Sequence, residues 1–366
     1  MQGDVLELPV TGAPLKGEVM RPSALGAAET AAWRQMQAQS PSLRRAFLSP
    51  SFALACERAS GRAYVAVLHD GSGIRGFLPF QFRTIWHERL RLAERIGGSL
   101  SDAAGIIAPA DLRITATSLM RVAGLASMSI SHLMEGQQLF GLDAVWSQVG
   151  HVTDLHAGPE AYFADLLQRD RILVRDTERR LRKAEKDLGA LRLVQPDPIS
   201  ADMVAALIAE KRRQYRRTQV PDVFARAENL RLIDVLNEAP EPECRLVMNR
   251  LEAGGRVLAQ HLGPRHHDVL SHWFPVYDPD ARTVSPGRLL LWYMIQRANE
   301  DGIRLIDYGE GDALYKRELA TGSVRYGRAG WSSGSVRSLL ARGWQSLEWR
   351  LQRRLQRTRK PAVEQA

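Results

Sequence analysis

Between Arg282 and Ile295 the chain reads Arg-Thr-Val-Ser-Pro-Gly-Arg-Leu-Leu-Leu-Trp-Tyr-Met-Ile, and between Ile303 and Lys316 it reads Ile-Arg-Leu-Ile-Asp-Tyr-Gly-Glu-Gly-Asp-Ala-Leu-Tyr-Lys. Leu289, Leu290, Leu291, Trp292 and Ile295 give the first run a broad apolar helical face, which must lie against other structure. Ile303 to Ile306 is a short apolar run of the kind that forms a buried strand. The order strand–loop–helix–strand–loop–helix commits the chain to an α/β arrangement. The first loop is built to hold an anion. Ser285 suits the N-cap, Pro286 the first helical position, and Gly287 lets a ligand approach the backbone. Unsatisfied N–H groups and the positive end of the helix dipole face whatever sits there, with Arg288 alongside. Asp307 to Asp312 clusters polar residues and glycines at the carboxyl end of the second strand, the edge where open α/β sheets bind ligands.

A repeated order of elements predicts two units. Arg62–His69, Asp70-Gly-Ser-Gly and Ile74–Phe82 read as a β-hairpin, and so do Arg245–Leu251, Glu252-Ala-Gly-Gly and Arg256–Gly263. Each hairpin follows helical material, Ala24–Met36 and Pro50–Arg58 in one case, Ala201–Arg217 and Ala225–Asn237 in the other. Each precedes a further strand, near Leu90–Ile96 and His267–Val276. The expected organisation is a first unit over 1–168, a basic linking helix over 169–189, a second unit over 190–332 and a basic amphipathic helix over 335–358. The linking helix has a thin apolar stripe (Ile172, Leu173, Leu181, Leu188) and is expected to carry i,i+4 charge pairs. In the last segment Leu340, Trp344, Leu347, Leu351 and Leu355 recur at helical spacing among arginines. It reads as a docking helix for its own domain or another subunit, or as a peripheral contact with an anionic membrane.

The formal charge of +9 favours an anionic partner without choosing among nucleotide, nucleic acid, acidic polymer and membrane. Cys56 and Cys244 form neither a disulfide framework nor a zinc spacing. His261, His266, His267 and His272 lack supporting ligands, so no metal is expected. The first residues do not read as a signal peptide, and no apolar run reaches membrane-spanning length. The expectation is a cytoplasmic protein, membrane-peripheral if its last helix so directs. The oligomeric state is open.

Arg282-x-x-Ser285-x-Gly287 resembles the loop with which GNAT acyltransferases hold the pyrophosphate of coenzyme A, Ser285 standing where the family has its first glycine. With Asp307-Tyr308-Gly309-x-Gly311-Asp312-x-x-Tyr315-Lys316, the chain looks more narrowly like the bacterial cellulose-biosynthesis-type acetyltransferases, relatives of the Fem-type aminoacyltransferases. The likeness is sharpest over Cys244–Trp331 and weaker at Gly98–Asp102 and Ile130–Leu133.

The resemblance implies tandem GNAT-like domains, each a mixed α+β sheet flanked by helices, with acetyl-CoA or another acyl-CoA as co-substrate. Arg282, Ser285, Pro286, Gly287 and Arg288 would hold the donor, and backbone N–H near Val276 and Tyr277 would polarise the thioester. Tyr315 would protonate the departing thiolate, a phenol being reliably protonated at neutral pH. Lys316 would meet phosphate or oxyanion, and Glu310 or Asp312 would relay the amine proton through water. His272 and Asp102 are acceptor-site candidates. Asp307 is another, though it also reads as a turn residue bonding Gly309 or Gly311. The implied acceptor is a small-molecule amine such as an amino sugar or cell-envelope precursor. The alternatives are an aminoacyl-tRNA donor, the one nucleic-acid partner considered, and a non-catalytic subunit of polysaccharide assembly that would contact a polysaccharide synthase through 335–358.

Overall fold

The computed structural model describes residues 15–335 apart from 143 and 242, so the amphipathic helix expected over 335–358 lies, beyond Ser335, outside the described residues. The chain opens with β1 (Lys16–Met20), α1 (Ala27–Ala38) and α2 (Pro50–Ser60). The hairpin β2 (Ala63–Asp70) and β3 (Gly73–Gln81) follows, then α3 (Ile85–Arg89), β4 (Leu92–Arg95), α4 (Ala116–Val122), β5 (Ser127–Leu133) and β6 (Val145–Asp154). Two connecting helices, α5 (Pro159–Arg169) and α6 (Arg171–Leu188), lead to β7 (Arg192–Val194), α7 (Ala201–Thr218) and α8 (Ala227–Glu238). The second hairpin is β8 (Arg245–Ala253) and β9 (Arg256–His266), succeeded by β10 (Val269–Ser271), β11 (Phe274–Tyr277), α9 (Pro286–Gln296), β12 (Leu305–Glu310), α10 (Leu314–Leu319) and β13 (Gly322–Ser332).

Local chemistry explains most of these boundaries. Ser49 caps α2 through the Phe52 N–H, Ser200 caps α7 through Met203, and Asp170 caps α6 through Leu173. Gly254 and Gly255 both take positive φ in the tight turn of the second hairpin, a conformation that suits the strand twist. On α6, Ile172 is 81 % exposed, contrary to its expected place in the apolar stripe. Leu173 is buried as expected, together with Val174, Thr177 and Ala184, and Leu181 and Leu188 pack partly buried against the same cluster.

The thirteen strands of the described residues form one mixed sheet, and its order is not the order of the sequence. Twelve run β1-β2-β3-β4-β5-β13-β6-β12-β10-β9-β8-β7, while β11 pairs with β9 off this path. The last strand, β13, lies between β5 and β6, so strands from the two ends of the chain interleave at the centre. One hydrophobic cluster also joins the halves, packing Phe52 and Cys56 of α2 with Leu232 and Ile233 of α8. The Phe47 ring meets Trp273 edge-on at 5.5 Å.

The run expected as one strand from His267 to Val276 is divided. Its first part, β10, lies parallel to β12 and antiparallel to β9. The His272 N–H still reaches the Asp307 carbonyl at 2.7 Å. Beyond His272 the chain continues along β9 as β11 and has no pairing with β12. A wedge therefore opens between β11 and β12 at the carboxyl end of β12.

Candidate functional site

The wedge leads into a cavity of about 340 Å³ lined by His272, Pro275, Val276 and Tyr277, by Arg282, Ser285, Pro286, Gly287, Arg288 and Leu290, by Leu314, Tyr315 and Glu318, and by Gln214. Four elements thus supply its walls: the diverging strand, the start of α9, helix α10 and one face of α7.

The donor loop differs in detail from the sequence expectation. A 3₁₀ turn over Pro279–Val284 brings the chain to Ser285 in the left-handed conformation, φ 54° and ψ 58°, with the Ser285 N–H bonded to the Arg282 carbonyl. Ser285 occupies the N-cap position, but its hydroxyl makes no capping bond. Glycine adopts this backbone freely, whereas a residue with Cβ incurs roughly 1–2 kcal/mol of strain there. The free donors are also fewer than a bare helix start would give. Pro286 has no N–H, and those of Arg288 and Leu289 both reach the Ser285 carbonyl. The Gly287 N–H has no acceptor among the described residues, and a Cβ built on Gly287 would meet nothing within 4 Å.

The two arginines divide the work. Arg288 is not held ready for a ligand: it bonds Asp176 of α6 at 2.9 Å and Glu318 of α10 at 2.8 Å, clamping three helices around the cavity. Arg282 is exposed and forms no ion pair among the described residues, so it is the cation available to an incoming phosphate.

On β11, strand alternation separates the two expected backbone donors. The Asp278 N–H bonds the Leu258 carbonyl, so Val276, two residues back, also faces β9. The Tyr277 N–H consequently points to the open edge. Pro275 shares that edge, and its carbonyl accepts from Lys211 Nζ at 2.9 Å.

Tyr315 lines the cavity with its ring edge-on to His272 at 6.4 Å. Burial pushes its phenol up to about 12, so it holds its proton across the neutral range. His272 is 6 % exposed, stacks on His261 at 4.7 Å, and has no hydrogen-bond partner on either ring nitrogen among the described residues. Burial, then His261, Lys316 and Lys211, push it well below the usual histidine range, so the imidazole is neutral.

The remaining expected residues lie outside the cavity lining. Lys316 folds back to the carbonyls of Tyr308 (2.7 Å) and Glu310 (3.1 Å). Glu310 has His132 Nε2 3.0 Å from one oxygen and pairs with Arg328 at 3.1 Å, while Asp312 meets His151 at 2.9 Å and Arg317 at 3.3 Å. Asp307 accepts from Arg45 Nε at 2.5 Å, from the Gly309 N–H at 2.8 Å and from the Tyr326 hydroxyl at 3.2 Å, so it is a structural anchor for the turn.

Asp102 comes from the first half and sits against Gly309; a Cβ built there would stand 3.3 Å from its Oδ2. Its carboxylate accepts no hydrogen bond among the described residues and has His132 Nε2 at 3.9 Å. Protein crowds it, yet its side chain stays 31 % exposed. Burial raises its pKa to about 6 against the opposing charge of Arg95.

Lys211 escaped the sequence reading. It is 8 % exposed and stands on the stripe Val204, Leu207, Ile208, Lys211, Tyr215 of α7. A lysine at an apolar position of a periodic helix was the available signal.

A larger cavity, about 470 Å³, lies near Gln195, Arg245 and Arg265. Its polar groups satisfy one another: Arg245 bonds Asp197, Gln195 bonds Asn249 and Asp301, and Arg265 bonds the carbonyls of Asp301 and Gly302. At the wedge both ring nitrogens of His272 and the Gln214 Oε1 have no hydrogen-bond partner among the described residues, and that decides between the two.

Residues 173–317 match the acetyltransferase (GNAT) domain family. FemX superposes with a TM-score of 0.54 at 10 % identity, covering 84 % of this chain and 96 % of that one. A conserved protein of unknown function from Bacteroides thetaiotaomicron gives 0.53 at 12 % identity, covering 83 % and 97 %. No curated protein matches the chain in sequence. The fold is that of GNAT proteins, and the matched domain is that of N-acyltransferases, which use an acyl-CoA.

Proposed function

We propose that this chain transfers an acyl group, acetyl in the simplest case, from acyl-CoA to an amine by direct attack on the thioester. The observation carrying the reading is the convergence of the Gly287 N–H, Arg282, the open edge of β11 and Tyr315 on one cavity inside the domain matched to acetyltransferases. The Gly287 N–H, the dipole of α9 and Arg282 receive the pyrophosphate. The acyl arm runs along β11, where the Tyr277 N–H donates to the thioester carbonyl and to the oxyanion that replaces it.

The amine nitrogen then bonds to the carbonyl carbon, and collapse of the tetrahedral adduct breaks the C–S bond. The amine proton passes through water to Asp102, and the Tyr315 hydroxyl donates to the sulfur as charge builds there. A phenol near 12 is a weaker acid than the thiol it faces. Its contribution is therefore a hydrogen bond in the transition state more than a completed proton transfer. Most of the rate comes from positioning. The acceptor is an amino sugar or other envelope precursor, in keeping with the resemblance to cellulose-biosynthesis-type enzymes. Calorimetric titration with acetyl-CoA, followed by assay of CoA release with a panel of amines, tests the reading. An absence of acetyl-CoA binding would overturn it.

A further inference from the structure

We infer that the closed end of the wedge receives a second anion, a carboxylate or phosphate carried by one of the two substrates, with Lys211 as its counter-ion and His272 as its hydrogen-bond partner. The inference rests on the acyl-transfer reading of the cavity and adds a substrate class to it.

Two buried groups lack what burial demands: His272, which lines the cavity, and Lys211, which stands behind its wall on the Pro275 carbonyl. Lys211 has three N–H donors and a full charge. One donor meets the Pro275 carbonyl at 2.9 Å, and the ammonium lies 5.5 Å from the centroid of the Tyr215 ring. No carboxylate pairs with it among the described residues, and its charged neighbour Lys316 repels it. Buried ammonium groups are ordinarily paired. His272 lies in the field of both lysines and has no partner on Nδ1 or Nε2 among the described residues. A ligand oxygen carrying negative charge meets both needs: the lysine gains a counter-ion, and a ring N–H gains an acceptor.

The donor's pyrophosphate is not that anion. Its loop begins beyond Tyr277, whereas Lys211 holds Pro275, nearer the point where β11 leaves β12. The anion therefore belongs to the acyl chain or to the acceptor.

The test compares charged and neutral members of two substrate pairs. Acetyl-CoA is assayed with amino acids and with their amides, and succinyl-CoA is compared with acetyl-CoA on a neutral amine. The wild type should favour the charged member of one pair by about tenfold or more in kcat/KM, and the pair that responds identifies the source. Lys211→Met should erase the preference, chiefly through KM, Lys211→Arg should restore part of it, and the affinity for desulfo-CoA should not change. Independently of turnover, succinate should raise the melting temperature of the wild type and not that of Lys211→Met.

Equal use of charged and neutral members in both pairs would overturn the inference while leaving acyl transfer standing. Loss of desulfo-CoA affinity in Lys211→Met would overturn it too, by assigning the lysine to the donor's phosphates. Failure of the wild type to bind acetyl-CoA would instead remove the reading beneath it, and absence of a succinate effect would then overturn the anion site as well.

Discussion

Replacing Arg45 with methionine would strand a carboxylate in the sheet that the two halves share. Arg45 and Asp307 have side chains 4 % and 6 % exposed, and they meet at 2.5 Å. Methionine fills similar space without the charge. Removing one partner of a buried pair costs about 3–5 kcal/mol, because the other is left buried and uncompensated. Asp307 would keep the Gly309 N–H and the Tyr326 hydroxyl, which places the expected loss near the lower end, about 3 kcal/mol. That is a large share of the roughly 5–15 kcal/mol that holds a typical fold together. Adding Asp307→Asn removes the stranded charge and keeps an oxygen for both remaining donors. The double variant should therefore recover about 2 kcal/mol relative to Arg45→Met. Urea unfolding followed by circular dichroism and tryptophan fluorescence gives the complete cycle. A single-variant loss below about 1 kcal/mol, or a double variant no better than the single, would refute the reasoning.

Three further outcomes follow from the site. Gly287→Leu should leave the unfolding midpoint within a degree or two, since its Cβ points to open space, and should weaken acetyl-CoA binding by about tenfold or more in calorimetry. Asp102→Asn should lower kcat and abolish the limb of the pH–rate profile that rises through about pH 6, because only the ionised carboxylate can accept the amine proton. Burial holds His261 and His266 at about 4, so between there and 6.5 the unfolded chain binds more protons than the native one. Stability should accordingly fall as pH drops from 6.5 towards 4, by up to about 3 kcal/mol per histidine, partly offset by the raised carboxyl of Asp102. A flat stability profile over that range would contradict the burial of these rings.

The parts legible in the sequence are those specified by neighbours along the chain. Both hairpins, the helix starts at Pro50, Ala201 and Pro286, and the glycine turn at 254–255 follow from period and turn chemistry within short windows. The loop at Ser285 and the presence of Tyr315 were visible for the same reason. The insertion of β13 between β5 and β6 was not, because strand order depends on pairings between distant segments. Nor could sequence pattern reveal that Arg288 is spent on Asp176 and Glu318, or that Asp307 is claimed by Arg45 from the other end of the chain. Lys211 shows the limit most plainly. Its position on an apolar stripe is readable, but its meaning depends on the Pro275 carbonyl and the unpartnered His272, which the fold alone brings beside it.

The most direct measurement is CoA release by Tyr315→Phe at saturating acetyl-CoA. Turnover should fall about 100-fold in kcat with acetyl-CoA affinity held within about twofold, since the hydroxyl acts on sulfur only as the C–S bond breaks. A variant that turns over like the wild type would contradict the assignment of this cavity as the acyl-transfer site.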